Sequence, residues 1–578
     1  MRALTLYLSG ACGICLLGLF LAGCSTAHHR RSADREVYGL ISGAERQVLG
    51  QTNAFSIDTA YSARDPHSIL PFEIIAERTV TNRRTLTIDQ ALDLAVRNSR
   101  QYQTQKEQLY LTALSLTSAT HEFAPIFTHS TDAGFEGTVG GPHGMGANTR
   151  VSVSKLLKTG GNLSLTLAND LFRWYAGPGA PADRNTARNI VSVSLLQPLL
   201  RGFGLNDPAV ENLTQSERNL VYAIRDYSQF QDQFAVDIVN DYFEVLQIRS
   251  DLRNSYTNYL RRVETTRYTE ARSVDRASPL DVEDARFQEL QAKINYINTV
   301  ASYLSRLDAF KITLGLPISE TLYLDDTPLE VVDQAGPIPA DISREAAFRL
   351  ASERHADILN AIDEFEDAKR QIHLAADRFK PLLDLTGQAS LASDAPTDLT
   401  DFDIDNLSYS GGFILQLPLE TLPQRNAYRQ TLIRFEQAIR SLGLTLDNFK
   451  QRIDGNLRTL EQQRLNILSR QAALASAERR LASSTILFQA GRREIRDVRE
   501  AQDNLIGAQN DLTASIVSYL QARLQLLLDI GVMETDTDRF WLADPLAQLL
   551  QPDMRGASPL EMPRDELIPP NQFLEPTL

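Results

Sequence analysis

Residues Asp207–Arg272 read DPAVENLTQSERNLVYAIRDYSQFQDQFAVDIVNDYFEVLQIRSDLRNSYTNYLRRVETTRYTEAR, with no glycine and one proline, Pro208. An aspartate followed by a proline is a helix start: the carboxylate caps, and the proline needs no N–H in the first turn. Nothing after it stops the helix before about Arg272, which at about 1.5 Å per residue predicts a rod on the order of 100 Å long. Average helices run to about three or four turns. Ala235, Ile238, Tyr242 and Val245 keep a 3-4 spacing, the seam of a coiled coil. A second such stretch runs from Gln424 to about Ala490, interrupted only by Gly443 and Gly455, and no proline occurs between Pro423 and Pro545. Two such rods imply a long tube or stalk.

Working outward, the chain repeats itself. Shifted by 256 positions, Thr87–Pro125 aligns without a gap on Ser343–Pro381, placing Leu94-Ala95 on Leu350-Ala351, Ala119 on Ala375 and Phe123 on Phe379. Both segments predict helices of about 38 residues, Thr87-x-x-Gln90 having the form of a capping box and each proline ending its helix. A shift of 215 places Ile224-Arg225 on Ile439-Arg440 and Phe234 on Phe449. Each rod is followed by a return helix, Ser278–Leu314 and Glu494–Ile530. A 38-residue helix stacked on such a return helix gives roughly 110 Å, close to one rod.

Between the helices the period changes to two. Val151 and Val153 alternate with serines, Lys158-Thr159-Gly160-Gly161 supplies a turn, and Leu163, Leu165 and Leu167 alternate with small polar residues. Ile190–Leu195 continues the pattern, and Leu382–Leu391 and Leu407–Leu417 repeat it around an acidic loop, Asp394–Asp405. Such alternation predicts strands with one apolar and one polar face. A soluble sandwich alternates equally well, but strand groups set between very long helices suit a sandwich poorly. Trp174 and Tyr175 suit an interfacial aromatic belt.

The chain opens with a charged Met1-Arg2, an apolar run from Leu4 to Leu21, and Leu21-Ala22-Gly23-Cys24. This predicts an export signal over residues 1–23 rather than a membrane span. The cysteines are Cys12, Cys15 and Cys24, so a chain cleaved before Cys24 forms no internal disulfide and no structural cysteine–metal site. No later run supplies the roughly 18 to 20 apolar residues of a transmembrane helix, so a membrane crossing has to be a β-barrel. A net charge of −15 argues against nucleic acid and fits a cation-preferring pore. The eight histidines are scattered, with no metal-ligand spacing, nucleophile elbow or phosphate loop. Asp401, Asp403 and Asp405 lack the terminal glutamate of a calcium loop. No enzyme, cofactor or metal is expected.

Helix, strands, long helix, turn and return helix, all duplicated behind an export signal, resemble the TolC family of outer-membrane efflux and secretion channels. The resemblance covers about Leu86 to Thr535. It rests most on Gln197-Pro198-Leu199-Leu200-Arg201-Gly202-Phe203-Gly204, which looks like the family's strand-to-helix junction, with Gln416-Leu417-Pro418-Leu419 as its weaker partner and Leu314-Gly315-Leu316-Pro317 leaving the first return helix. It implies an α+β chain with two repeats, 86–335 and 336–535, an N-terminal extension over 24–85 and a loosely ordered, proline-rich tail over 536–578. Three copies would share one membrane β-barrel, continued across the periplasm by a coiled-coil α-barrel. LAGC resembles a bacterial lipobox, implying acylation of Cys24, and Ser25 favours outer-membrane lipid. The implied function is a passive conduit of a tripartite efflux pump or type I secretion system, partnered by a periplasmic adaptor and an inner-membrane transporter. The rival is a non-conducting, periplasm-spanning structural lipoprotein.

Matched residue by residue, Arg493 falls on the family's gate arginine, Asp281 on its carboxylate partner, and Asp497 and Glu500 on an acidic ring at the periplasmic tip. Phe488 falls where the family's model member has a tyrosine that adds a hydrogen bond, a link that would be missing here. The residues alone give another reading that is compatible with the first: Ser278-Pro279-x-Asp281 has the form of a capping box. One departure stands out. The family pattern has two barrel strands per repeat, and the first repeat here has an extra alternating hairpin at about Arg150–Asp170, which either widens the barrel or lengthens an extracellular loop.

Overall fold

The computed structural model of the protein describes residues 26–52, 54–137, 139, 143–174, 185–272, 278–337, 340–393, 401–535 and 539–549. The expected export signal, Cys24, Ser25, Tyr175, the side chain of Trp174 and most of the tail lie outside them. In chain order the elements are α1 (Thr26–Val48), α2 (Pro71–Arg78), β1 (Arg83–Leu86), α3 (Ile88–Asn98), α4 (Arg100–His121), β2 (Ile126–Gly137), β3 (His143–Leu156), β4 (Asn162–Trp174) and β5 (Asn185–Pro198). They continue with α5 (Pro208–Arg272), α6 (Pro279–Thr313), β6 (Thr321–Leu324), α7 (Thr327–Ala335), α8 (Arg344–Arg354), α9 (Ala356–Asp377), β7 (Leu382–Ser393) and β8 (Phe402–Gln416). The rest are α10 (Leu422–Gln489), α11 (Ile495–Ile530) and α12 (Pro545–Leu549).

The rods appear where glycine and proline are missing. Helix α5 has 65 residues and α10 has 68, the latter passing through Gly443 and Gly455 unbroken. Asp207 caps α5 as its sequence predicts, its Oδ1 accepting from the Ala209 N–H at 2.8 Å. The return helices start after Ser278 and Glu494 as expected.

The two 38-residue helices are each broken. Ser99 and His355, which occupy the same repeat position, take extended backbone (ψ 128° and 125°) between α3 and α4 and between α8 and α9. A glycine lies against each break. Gly315 and Gly531 end α6 and α11 in the left-handed region, φ +74° in both. A Cβ at Gly315 would overlap the Asn98 carbonyl oxygen, and one at Gly531 would sit 3.1 Å from the His355 nitrogen. Both helix ends close as Schellman turns, Leu316 N–H to Lys311 O and Val532 N–H to Leu527 O.

The chain divides into two compact units. The first comprises residues up to Ser56, Gln108–Ile224 and Ile362–Ser441. It holds an antiparallel six-stranded sheet in the order β2-β3-β4-β5-β7-β8. The extra hairpin thus belongs to the sheet itself, and β2, which the alternation had not marked, forms its edge. In the same unit, α5 and α9 meet through a polar network in which Arg370 bonds Glu211 at 2.8 Å and Asp367 at 2.9 Å, and Tyr222 donates to Asp367 at 2.7 Å. Val37 and Ile41 of α1 are fully buried.

The second unit comprises Ile57–Glu107, Arg225–Ala361 and Leu442 onward. Its core is built on the α5 seam: Tyr242, Phe243 and Ile238 are fully buried with Phe310 and Leu524. The Tyr242 hydroxyl donates to the carbonyls of Leu86 and Asp325, fastening the ends of a short parallel pair, β1 and β6, that the sequence had not signalled. Phe540, Trp541 and Leu546 are buried here, with Trp541 5.6 Å from Phe243. Over 539–549 this replaces the loosely ordered tail expected from its prolines, because these apolar side chains fill the core.

Candidate functional site

Two sets of expected site residues fall in different units. In the first unit, Gln197, Pro198, Gly202 and Gly204 lie together where β5 passes into α5. Gly202 and Gly204 take φ +75° and +64°, values that favour glycine. The Gly202 N–H donates to Asp377 Oδ2 at 2.7 Å, and Leu199 N–H to Leu383 O at 2.8 Å. The β3–β4 turn packs onto this junction. Thr159 donates to Gln197 Oε1 at 2.7 Å, Gln197 Nε2 returns a bond to Thr159 O at 3.0 Å, and Gly204 N–H donates to the same carbonyl. A Cβ at Gly160 would overlap the Gly202 carbonyl oxygen, which explains the glycine pair of the turn.

In the second unit, the end of α5, the start of α6 and the turn after α10 line one cavity of about 570 Å³ that includes Asp281 and Arg493. Gly491, at φ +74°, ends α10. Asp281 does not meet Arg493. Its Oδ2 accepts from the Ser278 N–H at 3.1 Å in a complete capping box. A carboxylate at the third position of a helix satisfies an orphan backbone donor close by, so it turns back on its own chain. One helical turn later Asp284 takes the interhelical role, bonding Arg499 of α11 at 2.9 Å. Arg493, in the turn before α11, instead faces Asp497 in the first turn of that helix at 3.4 Å, and Glu500 pairs with Arg480 of α10 at 2.8 Å.

Sequence reasoning missed four residues here. Arg262, 4% exposed, reaches Asp503 at 2.5 Å and the Arg499 carbonyl at 3.3 Å, tying α5 to α11. Asp284 and Arg499 form the pair above; the heptad-like spacing of both helices was the available signal. Arg272 lies over the rings of Tyr268 and Phe488 at 5.7 and 5.5 Å and donates to Phe488 O at 3.4 Å. This cation–π stack joins the end of α5 to the end of α10. Over Gly491–Ala501 four arginines accompany three acidic residues, and Glu494, Asp497 and Glu500 each have an arginine partner. Among the described residues no group of three or more histidine, cysteine, aspartate or glutamate side chains is placed to hold a metal ion. No helix among them is long and apolar enough to cross a membrane.

Residues 347–532, which contain α11 and its turn, match the family described as Outer membrane efflux protein. Over these residues the chain is similar to that family. Solved structures extend the likeness beyond them. The outer membrane protein VceC from Vibrio cholerae is similar at 16% identity over 77% of this chain and 96% of its own, with a TM-score of 0.56. The Campylobacter jejuni outer membrane channel CmeC is 15% identical over 78% and 87%, with a TM-score of 0.55. The Neisseria gonorrhoeae outer membrane channel MtrE, in an open state, is 12% identical over 77% and 89%, with a TM-score of 0.56. At these identities the likeness is one of fold, which is that of the TolC-type outer-membrane channels. No curated protein matches the chain by sequence. The matched residues take in Arg493, Asp497 and Glu500, whereas Asp281 and the strand-to-helix junction lie outside them.

Proposed function

We propose that this chain is the outer-membrane channel subunit of a tripartite efflux pump or a type I secretion system. In this reading it is a passive conduit, three copies share one β-barrel, and their helices carry the conduit into the periplasm. Energy and choice of cargo belong to an inner-membrane transporter, reached through a periplasmic adaptor. The observation that carries the reading is the sheet's apolar face, where Phe127, Tyr409, Phe413 and Leu415 are 75, 84, 68 and 59% exposed. A chain in water does not leave such a face open, whereas a barrel presents it to lipid. Cys24 is the proposed lipid attachment site.

The helical turns are the proposed periplasmic gate, formed by Asp281, Arg493, Asp497 and Glu500 with Asp284 and Arg499 as the interhelical clasp. Exposed arginine–carboxylate pairs are worth about 0–1 kcal/mol each, weak enough for a partner to open. While closed, the arginines offset the carboxylates; opening frees Asp497 and Glu500 to favour cations, as carboxylate rings do.

Purified protein inserted into a planar bilayer should give discrete conductance steps and run in mild detergent at three times the monomer mass. A monomer with no conductance overturns the proposal and leaves the structural stalk.

A further inference from the structure

We infer that the extra hairpin β3–β4 is barrel wall, so that each copy contributes six strands and the closed barrel has eighteen. The inference rests on the trimeric channel reading above, but its content comes from the sheet register. Across the sheet, Phe127, Val153, Leu165, Val193, Ala389 and Tyr409 stand in one row, each the direct partner of the next. One residue along, Thr128, Ser152, Thr166, Ser192, Ser390 and Ser408 form a row of hydroxyls on the opposite face. Hydroxyls bond across the strands, Thr128 to Ser152 at 2.5 Å, Ser164 to Ser194 at 2.6 Å and Ser390 to Ser408 at 2.7 Å. The hairpin therefore carries both faces of the sheet unbroken, apolar on one side and hydroxylic on the other. A loop outside the bilayer has no need of either.

Length and anchorage agree. Strands β3 and β4 have 14 and 13 residues, against 12 and 15 in β7 and β8, and roughly 9 to 11 suffice to cross a bilayer. Their turn is locked onto the strand-to-helix junction by Thr159 and Gln197.

Closure follows from strand direction. Five successive antiparallel steps leave the edge strands β2 and β8 antiparallel to each other. The β8 of one copy can then pair with the β2 of the next and continue the alternation around the ring. At a strand spacing of about 4.8 Å and a tilt of about 40°, eighteen strands give a barrel about 36 Å across and twelve give about 24 Å. Barrels of 16–18 strands hold an aqueous channel. The outer-membrane end of this conduit is therefore a wide, hydroxyl-lined lumen.

Cysteine scanning of the full chain in lipid vesicles tests this, with a membrane-impermeant maleimide as probe and the parent chain as blank. Ser152→Cys and Thr166→Cys should label several-fold faster than Val153→Cys and Leu165→Cys, matching Ser192→Cys against Val193→Cys in β5. If β5 alternates and all four hairpin positions label alike, the hairpin is a loop and the inference falls while the channel reading stands. If β5 itself does not alternate, the channel reading fails and the inference with it. Projection images of the solubilised assembly give a second measure: a barrel near 36 Å supports eighteen strands, and one near 24 Å rules them out.

Discussion

His355 should make the second unit sensitive to acid in a way that one substitution removes. Its side chain is 2% exposed, and its ring stands edge-on to Phe449 at 4.6 Å. Nδ1 accepts from the Asp357 N–H at 3.2 Å, which fixes the neutral ring with its proton on Nε2. Burial pushes its pKa down to about 4; the nearby Asp357 carboxylate works against this and the Arg452 guanidinium with it. The unfolded chain takes up this proton near pH 6.5 and the folded one only near 4, so stability is full above the higher value and is lost as pH falls between them. Between about pH 7.5 and pH 4.5 the loss is about 2.5 kcal/mol at about 1.36 kcal/mol per pKa unit. Other groups oppose it: burial pushes Asp251 up to about 6 and raises Asp529, and both relieve a penalty as pH falls. The decisive quantity is therefore the difference between the wild type and His355→Asn, which keeps an acceptor for the Asp357 N–H but does not titrate. Trp541 is buried in this core, so its fluorescence, in a Trp174→Phe background, reports urea unfolding of this unit. The wild type should lose about 2.5 kcal/mol more than the variant over that pH range. Parallel curves would refute a neutral, buried His355.

Gly315→Ala should cost more than the roughly 1–2 kcal/mol of a left-handed alanine, because its Cβ also overlaps the Asn98 carbonyl. Gly531→Ala, whose nearest neighbour is 3.1 Å away, should cost less, and thermal melts of the two variants give the order. Arg499→Ala leaves Asp284 without its clasp; the melting point should hardly move, at a cost of at most about 1 kcal/mol, while bilayer conductance rises. Arg493→Ala, which breaks only a local contact between the turn and the start of α11, should raise conductance less, and the reverse order would return the gate to Arg493. A palmitate analogue fed to cells should label the wild type and not Cys24→Ala; equal labelling would remove the anchor.

The sequence alone determined what local chemistry controls. The rods follow from the missing glycines and prolines, the helix starts from Asp207 and Ser278, and the duplication from the 256-residue shift. The strands of the hairpin and of the second repeat follow from their alternation. Capping, periodicity and turn residues act within a few positions of the chain, so they can be read in order along it. Tertiary structure decided the questions in which one residue chooses between distant partners. Asp281 could cap its own helix or bond Arg493, and the nearby orphan N–H took it, leaving Asp284 to reach α11. The 38-residue helices broke at Ser99 and His355, where the left-handed glycines of the return helices lie against them. The hairpin's alternation fits a wall or a loop equally well; its place in the sheet came from register with β2 and β5 and from a turn locked on Gln197. The first two outcomes depend on surfaces that meet across more than a hundred residues of chain, and the third on pairing between neighbouring strands; periodicity carries no information about either.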